Sequence, residues 1–315
     1  MNLQNVVLAR SFLLYHFCLN KFSVLLFIVV LFASSLKAQL LWQITGNNIP
    51  GSTYLFGTHH LIEKEKIVNF DSLLSKIRQV DVVIGEMEMS EMTGLNLKMM
   101  QASVMKDTTM RDLLDEEEYQ IVDEELKSTV GAGLDRLGKI KPMAIGSLYS
   151  VMQYMQHHHL KKQPEAVDLI LQKSAKKYKK EIIGFETPEQ QINILYNSIP
   201  LKRQAEILVD DIKHKEENLK ELDLINNAYI AGDLALLETI YLNDDVMSDE
   251  EDQLLLEQRN DNWIKQLSKI LPHRSCFIAV GCMHLVGASG LIYQLRKAGY
   301  RSEERRVGKE CRSRW

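Results

Sequence analysis

The spacing of apolar residues along positions 40–300 switches repeatedly between two periods, and each switch marks an element. LLWQIT (40–45) and STYLFGTHH (52–60) are short runs rich in aliphatic and aromatic residues and predict two strands. Between them, residues 46–51 supply two Asn, a Pro and two Gly, which is turn composition, so a hairpin is expected. FDSLLSKIRQV has apolar residues at helical spacing, and DVVIGEMEM (81–89) is a β-branched strand. Residues 95–137 read as one helical region, and KPMAIGSLYSVMQYM continues as a helix from its proline. EIIGFETPEQQINILYNSI predicts a strand, a turn and a helix with Pro188 in its first turn. Residues 201–271 predict long amphipathic helices. SCFIAVGCMHLVG is the last strand and ASGLIYQLRKAG the helix after it. Alternation of this kind predicts an α/β (α+β) domain, a central mixed β-sheet flanked by helices.

The two ends depart from this pattern. Residues 1–38 hold Arg10, Lys21 and Lys37, no acidic residue, and the apolar run FSVLLFIVVLFASSL closed by small residues. This predicts a signal peptide cleaved after Ala38 and an exported protein, periplasmic, surface-bound or secreted. The apolar run is shorter than the roughly 20 residues of a bilayer span, so no span is expected after cleavage; an uncleaved membrane anchor is the alternative. RSEERRVGKECRSRW (301–315) has no apolar period and reads as an in-frame translation of a sequencing adapter, an artefactual tail. The domain is therefore expected over 39–300. The two ends hold nine of the 38 basic and three of the 42 acidic residues, so the body carries a net −10. That charge argues against a nucleic-acid partner. Only Cys276 and Cys282 fall in the body, six apart on one predicted strand and beyond disulfide reach, so the core must hold the fold.

Chemistry concentrates at strand ends. FGTHHL (56–61) and VGCMHL (280–285) share the pattern G-x-x-H-L, and Ile84-Gly-Glu echoes Ile183-Gly-Phe-Glu. The echo predicts pseudo-symmetric halves. Glycine lets another group approach the main chain closely, and a histidine three residues later lies on the rim of the sheet. Ligands of open α/β sheets bind beyond the carboxyl ends of strands. His60, Glu86, Glu186 and His284 meet that description. Glu88 shares the side of Glu86 if its strand continues, whereas His59 faces away if the pleat persists. Two imidazoles and two carboxylates suit a divalent metal that acidifies a bound water, with a spare carboxylate to take the proton. Rim histidines that merely bind backbone carbonyls are the alternative. There is no H-E-x-x-H, G-x-S-x-G, P-loop or G-x-G-x-x-G. The methionine-rich stretch 87–105 reads as an adaptable apolar lining for peptides rather than a copper site. The triple histidine 157–159 reads as a solvated helix end.

Taken in order, LWQI…GSTYLFGTHHL, VDVVIGEMEM, KPMAIGSLY, IIGFETPEQQ, AYIAGDLALLE, EQRNDNW and FIAVGCMHLVGASGLIYQLRKAGY resemble the TraB/GumN family, which includes the Tiki proteins. The resemblance covers residues 41–300. It implies a Tiki/TraB-like fold, with Gly57 and Gly281 as the structural glycines of paired G-x-x-H motifs. It also implies that His60, His284 and Glu86 bind metal, Mn²⁺ or Co²⁺ by preference with Zn²⁺ a further candidate. Glu86 or Glu186 would be the general base, and Arg259 would steady developing charge. The implied activity is metal-dependent hydrolysis of peptides. The alternative is a non-catalytic periplasmic or surface protein that holds a peptide or glycan in the same cleft. Gly85 departs from the aliphatic residues of many relatives.

Overall fold

Strands β1 (Leu41–Thr45) and β2 (Thr53–Thr58) form the expected hairpin, with Leu41 opposite Phe56 and Ile44 opposite Thr53. Gly46, Asn47, Asn48 and Gly51 in the connecting turn all adopt positive φ, where Gly and Asn are the least strained residues. The computed structural model describes residues 40–89, 92–243 and 248–304. The expected leader and residues 305–315 lie outside the described residues.

β3 (Val82–Met87), β4 (Glu181–Glu186) and β5 (Cys276–Gly281) complete a parallel core with β2, and β6 (Arg301–Glu304) pairs antiparallel with β1. The order is β4-β3-β5-β2-β1-β6, a mixed sheet of the expected class. Each pair of echoed motifs falls on neighbouring parallel strands: Thr58 stands beside Gly281 and Gly85 beside Gly184. β6 uses residues 301–304, which the pattern of the chain placed outside the domain. An edge strand pairs through its backbone alone, so Arg-Ser-Glu-Glu can form one with only Ser302 buried.

α1 (Phe70–Ile77) precedes β3. Between β3 and β4 lie α2 (Met92–Ala102), α3 (Met110–Leu113), α4 (Glu116–Thr129), α5 (Leu134–Leu137), α6 (Pro142–His157) and α7 (Val167–Lys177). Between β4 and β5 lie α8 (Pro188–Asn197), α9 (Leu201–Lys213), α10 (Lys215–Ala231), α11 (Leu234–Leu242), α12 (Asp249–Asp252) and α13 (Gln258–Ile270), and α14 (Leu291–Lys297) leads to β6. The single helical region expected over 95–137 is four helices. Thr109 and Asp115 each close a capping box and so start new helices, and Gly133 opens the last.

Alternate residues of the strands feed two cores, one on each face of the sheet. Tyr54, Phe56, Val83 and Phe277 pack on one face against Leu73 of α1, Leu171 of α7 and Tyr229 of α10. Leu55, Val82, Ile84 and Ile278 pack on the other against Trp263 and Leu267 of α13 and Leu291 of α14. A third core joins α4, α6 and α9 without touching the sheet. No helix among the described residues is long and apolar enough to cross a membrane.

Candidate functional site

β2 and β5 end side by side, and the two motif glycines explain how closely the chains behind them approach. A Cβ on Gly57 would lie 3.1 Å from Cα and Cβ of Cys282. The N–H of Gly281 donates to Glu86 Oε1 at 2.8 Å, and a Cβ there would come within 3.2 Å of that oxygen. Past Gly281 the chain makes one 3₁₀ turn, Cys282–Leu285, which folds His284 back beneath the strand ends, where it is buried.

Arg259 binds these parts together. Its Nε donates to Glu186 Oε1 at 2.7 Å, and its Nη2 donates to Glu86 Oε2 at 2.6 Å and Glu186 Oε2 at 3.1 Å. Nη1 donates to the Leu255 carbonyl at 3.1 Å and stands 3.1 Å from His284 Nε2. Residues 253–257, just before α13, form a π-helical turn, and Leu255 lies within it. Such turns loosen the helical ladder and are common at functional sites. Trp263, one turn further along α13, donates its indole N–H to Glu186 Oε1 at 3.0 Å, and its ring packs beside both His284 and Phe185.

A guanidinium only donates, so His284 Nε2 is an acceptor and the ring proton sits on Nδ1, 2.8 Å from Asn260 Oδ1. Burial lowers the His284 pKa to about 4, so the ring is neutral near pH 7. For Glu86, burial acts to raise the pKa, but the charge that His284 gains only at acid pH, the charges of Arg259 and His60, and the Gly281 N–H outweigh it and hold the carboxyl at about 2.

His60 sits differently. Its Nδ1 lies 3.0 Å from Asp168 Oδ2, and most of its ring is open to the cavity. The Asp168 carboxylate raises its pKa to about 9 against the opposing effect of burial. His59 does not face away as expected. The strand ends at Thr58, so the pleat does not carry through, and both histidines line the same cavity. Burial lowers His59 to about 4, and its Nδ1 accepts the Leu61 N–H at 3.2 Å.

The cavity encloses about 520 Å³. Glu86, Arg259, His59, His60 and His284 form its polar end, and Val151, Ile194, Leu195 and Leu256 its apolar wall. His60 and His284, over 200 residues apart in the chain, thus share one cleft. Glu186 does not line it. It stands behind Arg259 beside a second hollow that Phe185 and Trp263 border. Glu88 is exposed and lies outside the cleft. The methionine of the cleft is Met283; of the methionine-rich stretch, Met87 and Met105 are core residues and Met100 is exposed. Gly85 leaves room for Gln172, whose amide bridges Met87 O and Met89 N at 2.8 Å each; a Cβ would lie 2.8 Å from Gln172 Nε2.

The donor types suit a divalent ion, but in this arrangement Arg259 faces His284 Nε2 at 3.1 Å and donates to Glu86 Oε2 at 2.6 Å. Asp168 faces only Nδ1 of His60. Among the described residues the compact group of ligand atoms is instead His157, His158 and Asp223, within 4.8 Å of one another at the end of α6. A metal ion held by both His284 Nε2 and Glu86 Oε2 would have to displace Arg259 from them. Asn260 and Trp263 belong to the EQRNDNW stretch of the resemblance but were given no role there; Asp168 and Thr58 were not singled out as site residues, since an acid in the first turn of a helix carries no special signal.

The model of the TraB/PrgY/gumN family matches residues 40–304. No curated protein and no solved structure matches the chain at a significant level.

Proposed function

The chain belongs to the TraB/PrgY/gumN family, and from that premise we propose that it hydrolyses peptides in the cleft between β2, β3 and β5. The observation that carries this reading is the convergence of a carboxylate held ionised, Glu86, and an imidazole held protonated, His60, on one cavity with an apolar wall. Groups whose surroundings push their pKa values apart make an acid–base pair. Water adds to the substrate carbonyl and yields its proton to Glu86. The departing amine takes a proton from His60. The positive charges of His60 and Arg259 face the oxygen that becomes negative. Arg259 keeps Glu86 in place and charged, and Glu186 with Trp263 keeps Arg259 in place. No step is routed through a metal. A divalent ion would have to displace Arg259 from His284 and Glu86 to gain its ligands.

A peptide-library digest of the domain tests the reading, run with chelator and with added Mn²⁺ or Co²⁺. Turnover lost in both Glu86→Gln and His60→Ala is the expected outcome. Turnover that survives both substitutions sinks it, and stoichiometric peptide binding without turnover would replace it with a binding role. Turnover seen only with added ion would mean that Arg259 gives way to metal. We propose in addition that the leader expected over 1–38 is cleaved after Ala38 and the domain exported, which N-terminal sequencing of the exported product checks.

A further inference from the structure

His60 is a paradox for a group assigned a chemical task. Its ring is about two-thirds exposed and carried on a loop, where an imidazole would ordinarily turn freely. Yet one carboxylate, Asp168, faces its Nδ1 at 3.0 Å. Asp168 is buried in the first turn of α7, whose apolar residues Val167 and Leu171 are locked into the core beneath the sheet. Its other oxygen, Oδ1, accepts a 2.7 Å hydrogen bond from the Thr58 hydroxyl, and Thr58 is the last residue of β2. The strand that carries His60 and the helix that packs under it are thus tied at one carboxylate.

We infer that Asp168 is the positioning residue of the cleft: held at Oδ1 by Thr58, it binds His60 through Nδ1 and leaves Nε2 as the nitrogen presented to the cavity. Nδ1 and Oδ2 stand 3.0 Å apart as an ion pair, and Oδ2, buried, has no hydrogen bond of its own among the described residues. A carboxylate oxygen only accepts, so its nearness favours a proton rather than a lone pair on the facing ring nitrogen. A carboxylate behind an imidazole sets both its tautomer and its orientation, whether the outer nitrogen then serves acid–base chemistry or a ligand. The first turn of a helix also favours a negative charge, which suits the carboxylate to that place. The inference rests on the reading of His60 as a working group of the cleft, but its test does not need turnover.

The test is nitrogen-15 NMR of the histidine rings, at a pH above that at which His60 gives up its second proton, in the full chain and in Asp168→Asn and Asp168→Ala. The expected wild-type ring carries its proton on Nδ1. In Asp168→Asn the amide oxygen stays with the Thr58 hydroxyl and the NH₂ group turns toward His60, so the proton moves to Nε2. This variant preserves size and hydrogen bonding, so it remains readable if Asp168→Ala fails to fold. A second readout is turnover: Asp168→Asn lowers kcat at least about tenfold with KM little changed, and His60→Ala/Asp168→Asn is no slower than His60→Ala alone, since two groups acting as a unit are not additive. A proton on Nε2 in the wild type, or on Nδ1 in Asp168→Asn, overturns the inference. So does a double variant slowed by the product of the single effects. If the chain shows no peptidase activity at all, the ring spectra still decide the role of Asp168, and only the hydrolase reading falls.

Discussion

At the scale of single residues, Arg259 has the most to lose. Its five donors meet two carboxylates, a carbonyl and an imidazole, and its side chain is 12% exposed. Arg259→Ala strands Glu86 and Glu186 without their cation, and removing one partner from a buried pair costs about 3–5 kcal/mol. Thermal unfolding with a matched loss of turnover is the expected result. Arg259→Lys keeps the charge but not the planar fork, so it should recover part of the stability and little of the activity. Glu86→Gln should leave the fold intact and reduce turnover roughly 10²–10⁴-fold, the range for a lost general base. Much at this scale was legible from the chain. The paired G-x-x-H-L motifs and the strand-end acids stood out by spacing, and Arg259 through the resemblance. Asp168 was not legible, because its meaning comes from Thr58, 110 residues earlier, and from His60.

At the scale of elements, the glycines govern how closely strands and turns approach. Gly57→Ala presses a methyl against backbone and side chain of Cys282, and backbone cannot swing aside as a side-chain tip can. Overpacking of this sort costs about 1–3 kcal/mol, so a lower melting temperature is expected, together with a shift of the His284 turn that a crystal structure of the variant would show. Gly85→Ala tests a related point. It pushes on the Gln172 amide, which is not free to move because it bridges Met87 and Met89. The strands themselves were readable from β-branched runs between turn residues. The division of residues 95–137 was less so, since capping boxes at Thr109 and Asp115 interrupt a stretch of good helix formers. The π-helical turn at 253–257, which positions Arg259 and its acceptor Leu255, leaves no mark in the periodicity.

At the scale of the whole molecule, the charged groups of the cleft set opposite pH limits. Glu86 is held at about 2, below its ordinary 4.5, so its contribution to stability is present above pH 4.5 and is lost as pH falls toward 2. His60 is raised from 6.5 to about 9, so its pairing with Asp168 stabilises fully below 6.5 and is lost as pH rises through 9. Melting temperatures across the pH range should therefore fall at both ends, with His60→Ala flattening the alkaline side. The same two groups predict that turnover declines above about pH 9. The amino-acid sequence by itself determined the period of each element, the class of the fold and the residue types gathered at strand ends, because these follow from local backbone preference and the burial of apolar side chains. Only the tertiary structure decided that β2 and β5 adjoin, that Arg259 rather than an open space lies between Glu86 and His284, and that Asp168 stands behind His60. Those contacts join residues far apart in the chain, and the energy of a buried charge depends on which partner the packing brings to it.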